Sequence, residues 1–304
     1  MPLHLPPIDR RKFLIGGGAL AAGVLTVRWS AAAESHADPH RFALLSDSHV
    51  AANPAEINRG VNMTDNFRRV ADEVLALDVQ PAAAFLNGDC AYLHGLRDDY
   101  RQLAPLLDPI RKAGLPLHLG MGNHDDRTQF ADMLSEYRPE ERPVEGRYVA
   151  AIPAERANWF LLDSLKKTND TPGELGTSQL EWLGKALDAH KDKPAIVIVH
   201  HNPNSTGIAV QSGGGLIDTA ALYEALVPRK HVKALIFGHT HVWSVGHYRD
   251  IHLVNLPPTA YLFDEKRPNG WVLAELKEDG ASLTLHALDK HHADHGKTVE
   301  LKWR

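Results

Sequence analysis

The feature that narrows the fold most is a repeated change of hydrophobic period. From residue 41 onward, short apolar runs that end on polar residues alternate with longer stretches whose apolar residues recur every three or four positions. A run of four to six apolar residues has the length of a buried strand, whereas the longer period lays one apolar stripe along a helix. The alternation predicts an α/β fold. Residues 42–45 and 82–86 read as strands, and residues 62–77 place Phe67, Val70, Val74 and Leu77 on one helical face between them. A second helix over 98–112 turns at Gly114 and Pro116 into a strand ending at Leu119, and a tight loop starts at Gly120 and Gly122.

The same alternation continues to the end. Residues 148–152 and 159–162 read as an antiparallel pair, and Thr177 reads as the N-cap of a helix carrying Leu180, Leu183 and Leu187. Residues 195–199 form a continuous β-branched run suited to a strand buried on both faces. A polar loop over 202–215, a helix over 219–226 and a strand over 232–237 follow, and residues 242–288 are mostly strand-like. Neither an internal repeat nor an interdomain linker interrupts the pattern, so residues 38–304 are expected to form one domain.

The residues before this stretch have a different order. Asp9-Arg10-Arg11-Lys12-Phe13-Leu14-Ile15 leads into a small, apolar run to Val27 and then to Ala31-Ala32-Ala33. Charged, apolar and small-residue regions in that order make an export signal, and paired arginines before Phe-Leu resemble the twin-arginine type. The apolar run falls short of the ~20 residues that span a bilayer, so a cleaved signal is preferred to a retained anchor. Residues 1–37 are therefore set aside as a signal peptide, with cleavage after Ala33 or, second, Ala37. This reading expects the twin-arginine export machinery as a partner, a periplasmic or extracellular bacterial location, and a mature chain with no membrane span. The single cysteine, Cys90, excludes an internal disulfide, and a net charge of −5 gives no general pull toward nucleic acid or anionic membrane.

Chemistry concentrates where the predicted strands end. Asp47-Ser48-His49, Gly88-Asp89, Gly122-Asn123-His124-Asp125 and Val199-His200-His201 each follow a strand, and Gly238-His239-Thr240-His241 follows another apolar run. Loops at the carboxyl ends of strands can converge on one site. Taken singly these motifs are weak, because Asp-x-His, Gly-Asp and Gly-Asn also serve ordinary turns. Five in series, each after a strand, make coincidence a poor explanation. Together they offer three carboxylate or amide oxygens and four imidazoles, a donor set that suits Fe, Mn or Zn rather than Ca and is large enough for two ions.

In this order the motifs resemble those of the calcineurin-like metallophosphoesterase superfamily, whose pattern runs DxH, GD, GNH with a following D or E, H, and GHxH. The likeness extends from Asp47 to His241, and Gly176, Gln179, Trp182 and Leu183 resemble the helix that often precedes the fourth motif. The resemblance implies a four-layer α/β/β/α sandwich and a small phosphoester substrate. It assigns Asp47, His49 and His241 to one metal, Asn123, His200 and His239 to the other, and Asp89 to both. Two divalent or trivalent cations would bind the phosphoryl oxygens and activate a bridging water for in-line attack. His124 is implied to contact the phosphate and protonate the leaving oxygen, oriented by Asp125.

Within the superfamily, His49 looks like the class III cyclic nucleotide phosphodiesterases and their glycerophosphodiesterase relatives. Purple acid phosphatases have glycine there and take a tyrosinate from GDxxY, a residue that Tyr92 also supplies. The preferred reading makes His49 the ligand and Tyr92 a supporting residue, and the favoured substrate a phosphodiester. A purple-acid-phosphatase-like monoesterase and a metal-binding module without catalysis are the alternatives, the second disfavoured because no ligand is missing. Arg127 could contact substrate or begin a helix, His201 and Asn202 could support the ligands, and Cys90 is expected to be packed. His94, His118, His247 and His252 have no motif partner, and no stable nucleic-acid binding is expected.

Overall fold

The computed structural model describes residues 37–139, 141–204 and 214–304. The expected export signal up to residue 36, with the first-choice cleavage site after Ala33, therefore lies outside the described residues. The helices and strands in chain order are β1 (Asp38–Leu45), β2 (Ile57–Asn58), β3 (Val61–Asn62), α1 (Met63–Leu75), β4 (Pro81–Leu86), α2 (Arg97–Lys112), β5 (Leu117–Leu119) and α3 (Arg127–Met133). After a single 3-10 turn at Ser135–Tyr137 come β6 (Ala150–Pro153), β7 (Asn158–Leu161), α4 (Thr177–Ala189), β8 (Ala195–Ile198), α5 (Thr219–Leu226) and β9 (Val232–Phe237). Four more strands, β10 (Ser244–Tyr248), β11 (Ile251–Asn255), β12 (Gly270–Leu276) and β13 (Gly280–Ala287), precede the final β14 (Thr298–Lys302).

Two six-stranded sheets carry the fold, one in the order β14-β13-β12-β1-β4-β5 and the other β10-β11-β9-β8-β7-β6. Strand alternation explains their stacking, because Phe42 and Leu44 point to one side of β1 while Ala43 and Leu45 point to the other. The inward set meets Trp159, Leu161, Ile196, Ile198 and Ile236 of the second sheet. The outward set is covered by Phe67 and Val70 of α1 and by Tyr100, Leu103 and Leu107 of α2. On the far side, Leu183 and Leu187 of α4 and Leu222 and Leu226 of α5 cover Val197 and Leu235. Three apolar interfaces thus bind four layers in the expected α/β/β/α order.

Local departures from the sequence reading have physical causes. Helix α2 runs through Pro105 and Pro109, which lie four apart on its exposed face, where water can solvate the carbonyls they leave free. Thr177 is the first residue of α4 rather than its cap. The cap position is Gly176 at φ +80°, and no side chain closes the helix there. Helix α3 begins instead with a side-chain cap, Asp126 accepting from the amides of Thr128 and Gln129.

The parallel strands deliver their carboxyl ends to one edge of the sandwich. Strands β1, β4 and β5 run parallel, as do β7, β8, β9 and β11. Pairing between β1 and β4 continues past the strands: the Asp47 amide donates to the Gly88 carbonyl at 3.2 Å and the His49 amide to the Asp89 carbonyl at 2.9 Å. Two motif loops are thereby fixed to each other before any side chain is considered.

Candidate metal centre

Ligand atoms of Asp47, His49 and His241 lie within 4.8 Å of one another, as do those of Asp89, His200 and His239. Both groups are drawn from the residues the motifs singled out. Asp89 joins them, its Oδ2 lying 3.2 Å from His200 Nε2 and 3.7 Å from His49 Nε2. Asp47 faces both groups as well, at 3.4 Å from His241 Nε2 and 3.9 Å from His200 Nε2. Asn123 is buried, and its Oδ1 has no hydrogen-bond partner among the described residues. The buried Nε2 of His239 is likewise without a partner among the described residues, and that of His200 faces the Asp89 and Asp47 carboxylates. Unpaired buried donors and acceptors are costly, and cations between these groups would satisfy them together.

Backbone carbonyls aim the imidazoles. Nδ1 of His49 contacts the Tyr92 carbonyl at 2.9 Å, Nδ1 of His200 the Asn87 carbonyl at 2.8 Å, and Nδ1 of His241 the Tyr261 carbonyl at 2.6 Å. A carbonyl only accepts, so each Nδ1 carries a proton and each Nε2 faces the cluster. His49 Nε2 and His241 Nε2 are 3.0 Å apart, a crowding of two lone pairs that a shared cation would relieve.

The backbone is also strained here. Eight described non-glycine residues have positive φ, and five of them are expected ligands: Asp47 at 53°, His49 at 44°, Asp89 at 47°, His239 at 68° and His241 at 55°. Left-handed backbone costs such residues about 1–3 kcal/mol each and persists where surroundings and function require it. Close approach adds another constraint. A Cβ on Gly122 would come 2.1 Å from Asp89 Oδ1, and one on Gly88 would meet His200 Nδ1 at 2.6 Å. The glycines of the second and third motifs thus let two ligand loops touch.

Charge in the cluster follows from this packing. Burial works to raise Asp47, yet His200 and His241 hold it at about 2. Burial opposes the charge on Asp89 too, yet His200 and His124 bring it well below the usual carboxylate range. For His200, burial favours the neutral ring, and Asp89 and Asp47 overcome it to draw the group up to about 10. Burial, together with neighbouring imidazoles, lowers His49 and His239 to about 4. The two buried carboxylates create a strongly negative field, which suits cations.

Several expected roles change. Asp125 does not orient His124. Its buried carboxylate accepts from the amides of Cys90, Ala91 and Gly122 and from the Tyr100 hydroxyl, so it braces the second and third motif loops instead. Burial and the nearby Asp89 raise it to about 6. His124 is oriented by the Leu93 carbonyl, 2.8 Å from its Nδ1, and its amide donates to Asp89 Oδ1 at 2.8 Å. A ring nitrogen of His124 also comes within 4.8 Å of His49 and Asp89 ligand atoms. Arg127 does not face substrate: its guanidinium grips the buried carboxylate of Asp163 at 2.7 Å through two nitrogens and also donates to the Leu165 carbonyl.

Tyr92 turns its hydroxyl to Asn58 Nδ2 at 3.1 Å, and only its carbonyl reaches a cluster residue. His201 packs behind His239 with ring centroids 4.7 Å apart and bonds Ser164 Oγ through Nδ1, and burial holds it well below the usual histidine range. Asn202 is buried beside it in sequence, with Nδ2 donating to the Pro203 carbonyl. Cys90 is packed, as expected, and burial raises its thiol. His94 and His247 are exposed, His252 contacts the Lys302 carbonyl, and His118 packs on Phe85.

A cavity of about 200 Å³ opens over the cluster, lined by His49, Asp89, Asn123, His124, Thr171, His239, His241, Tyr261 and Phe263. No motif marks Thr171, Tyr261 or Phe263, because each arrives on a loop outside the five motifs. The alternating pair Tyr261 and Phe263, just after Pro257-Pro258, is the one signal that could have pointed to this wall.

Comparison with known proteins agrees with this geometry. The family profile described as "Calcineurin-like phosphoesterase" matches residues 40–243. The chain is 28% identical over 221 residues to a 3′,5′-cyclic adenosine monophosphate phosphodiesterase CpdA of Pseudomonas aeruginosa, covering 72% of this chain and 76% of that protein. It is 26% identical over 239 residues to the glycerophosphodiester phosphodiesterase GpdQ of Enterobacter lignolyticus, covering 75% and 81%. A dimetal phosphatase from Danio rerio shares the fold, with a TM-score of 0.69 and 16% identity over 88% of this chain and 100% of the other.

Proposed function

The chain belongs to the calcineurin-like phosphoesterase family, and from that premise we propose that it hydrolyses a small phosphodiester at a centre of two metal ions. The observation that carries the proposal is the pair of buried triplets, Asp47–His49–His241 and Asp89–His200–His239, meeting at the two carboxylates. Relatives named as phosphodiesterases support the diester preference. Asn123, whose Oδ1 has no hydrogen-bond partner among the described residues, completes the second triplet. The donor set of imidazole, carboxylate and amide favours Fe, Mn or Zn.

When bound, the two ions supply positive charge for the phosphoryl oxygens and an activated water for in-line attack. The protein supplies position and a proton. His124, aimed by the Leu93 carbonyl, turns its Nε2 side to the cavity, where it binds a phosphoryl oxygen and delivers a proton to the leaving oxygen. Asp125 holds the loops that carry Asp89 and His124, so its contribution is to their placement.

A chromogenic diester and the matching monoester, assayed with Mn, Zn and Fe separately, test the proposal. A higher kcat/KM for the diester is expected. Turnover confined to the monoester would favour the purple-acid-phosphatase-like alternative, and no turnover with any metal would favour a binding module. Export by the twin-arginine route rests on Arg10-Arg11 and the small, apolar run after them. Protein recovered from the periplasm of an expressing bacterium should begin at Glu34 or, for the second cleavage site, at Asp38, read by N-terminal sequencing. An intact Met1 would count against cleavage. Among the described residues no helix is long and apolar enough to cross a membrane.

A further inference from the structure

The cavity over the metal cluster has one wall that the hydrolytic machinery leaves unused. Phe263 is 53% exposed, and it stacks on the ligand imidazole of His241 with centroids 4.4 Å apart and planes at 25°. Tyr261 meets it edge to face at 5.8 Å. Outside them the Arg59 guanidinium lies over the Phe263 ring, 4.9 Å from its centroid. Cation and ring hold each other, the ring lining the cavity and the exposed Arg59 lying beyond that lining.

The placement of Arg59 is built rather than incidental. It occupies the turn between β2 and β3, where its φ of 47° and the following Gly60 at 79° make a tight hairpin. Asn58, next to it, is tied to the Tyr92 hydroxyl at 3.1 Å, and Tyr92 belongs to the loop that carries Asp89. Val61 and Tyr92 also pack against a small apolar cluster of Ala51, Met63, Ala260 and Tyr261. The hairpin is therefore fastened both to a ligand loop and to the loop bearing Phe263.

We infer that Phe263 and Arg59 form a specificity wall that receives a planar aromatic arm of the phosphodiester substrate. Both groups present flat faces, and both stack on ring systems such as nucleobases, whether the guanidinium stays on the phenyl ring or swings aside. The Phe263 ring offers no hydrogen-bonding group, so a polyol arm such as glycerol gains little from it, and only the Arg59 N–H groups could donate to the polyol hydroxyls. A ring on the substrate would continue a stack that begins at His241. The inference rests on the phosphodiesterase reading and adds residues that choose between diesters.

The test compares a 3′,5′-cyclic nucleotide with glycerophosphoglycerol, a diester with neither a ring nor a cation, as substrates of the metal-loaded protein. For wild type, Phe263→Leu and Arg59→Ala, the readout is the ratio of the two kcat/KM values, taken alongside metal content. Phe263→Leu keeps apolar packing against His241 while removing the flat face. Each variant should shift the ratio about tenfold toward the alkyl diester. Calorimetry with adenosine 5′-monophosphate and ribose 5-phosphate gives a readout independent of turnover, and the variants should weaken the first more than the second. An unchanged ratio and unchanged binding preference, in a wild type that cleaves diesters, would overturn the wall and leave the phosphodiesterase reading standing. A wild type that cleaves neither diester would instead defeat that underlying reading.

Discussion

The two halves of the metal centre are prepared to different degrees. In the first, Asp47, His49 and His241 meet with both imidazoles anchored through Nδ1 to the carbonyls of Tyr92 and Tyr261, and Tyr261 packs on both rings at 4.9 Å. In the second, His200 is anchored to Asn87, whereas the buried His239 Nε2 and the Asn123 oxygen have no hydrogen-bond partner among the described residues. Anchoring restricts a ligand before the ion arrives, so the first half loses less freedom on binding. The two ions should therefore be held unequally.

His124 belongs to neither half, and its removal gives the largest expected effect on turnover. His124→Ala should keep both ions and lower kcat by about 10²–10⁴-fold, read from metal content and steady-state kinetics together. Wild-type kcat would remove His124 from the reaction. A stepwise chelator titration gives a smaller effect that sharpens the contrast itself. The half containing Asn123 should release its ion first, with apparent affinities separated by about 10–100-fold. His239→Ala should leave one tightly held ion and His241→Ala one weakly held ion. Release of both ions at the same chelator concentration would erase the distinction.

This asymmetry is only partly legible in the sequence. The five motifs and the strands before them are local signals, because a strand's period and the polar residues at its end lie within a few positions of each other. For that reason Asp47, His49, Asp89, Asn123, His200, His239 and His241 can be picked out together, and the structure gathers the carboxylates and imidazoles into one place with Asn123 buried in the same cavity wall. The anchors are backbone carbonyls, which every residue carries, so nothing marks Leu93, Tyr92 or Tyr261 for that use.

Long-range pairing is equally hidden. Asp125 follows His124 directly, which makes it look like that residue's partner. The fold instead turns its carboxylate toward the amides of the loop after Asp89. Arg127 looks free to meet substrate until the fold brings Asp163 to it from 36 positions away. Strand β14 escapes notice because a largely exposed edge strand carries little apolar period, and of the seven-residue helix α3 only its start at Arg127 is legible. The regular geometry of a sheet layer is visible in one sequence, whereas the loops that finish the cavity depend on which strand ends meet.

Above all, one centre of two ions should share Asp89, whose Oδ2 faces His200 Nε2 at 3.2 Å and His49 Nε2 at 3.7 Å. Mass-spectrometric metal analysis of purified, dialysed protein tests this directly, with wild type and Asp89→Ala measured side by side. Two ions per wild-type chain and at most one in the variant are predicted. A single ion in wild type, or two retained without Asp89, would contradict a shared centre.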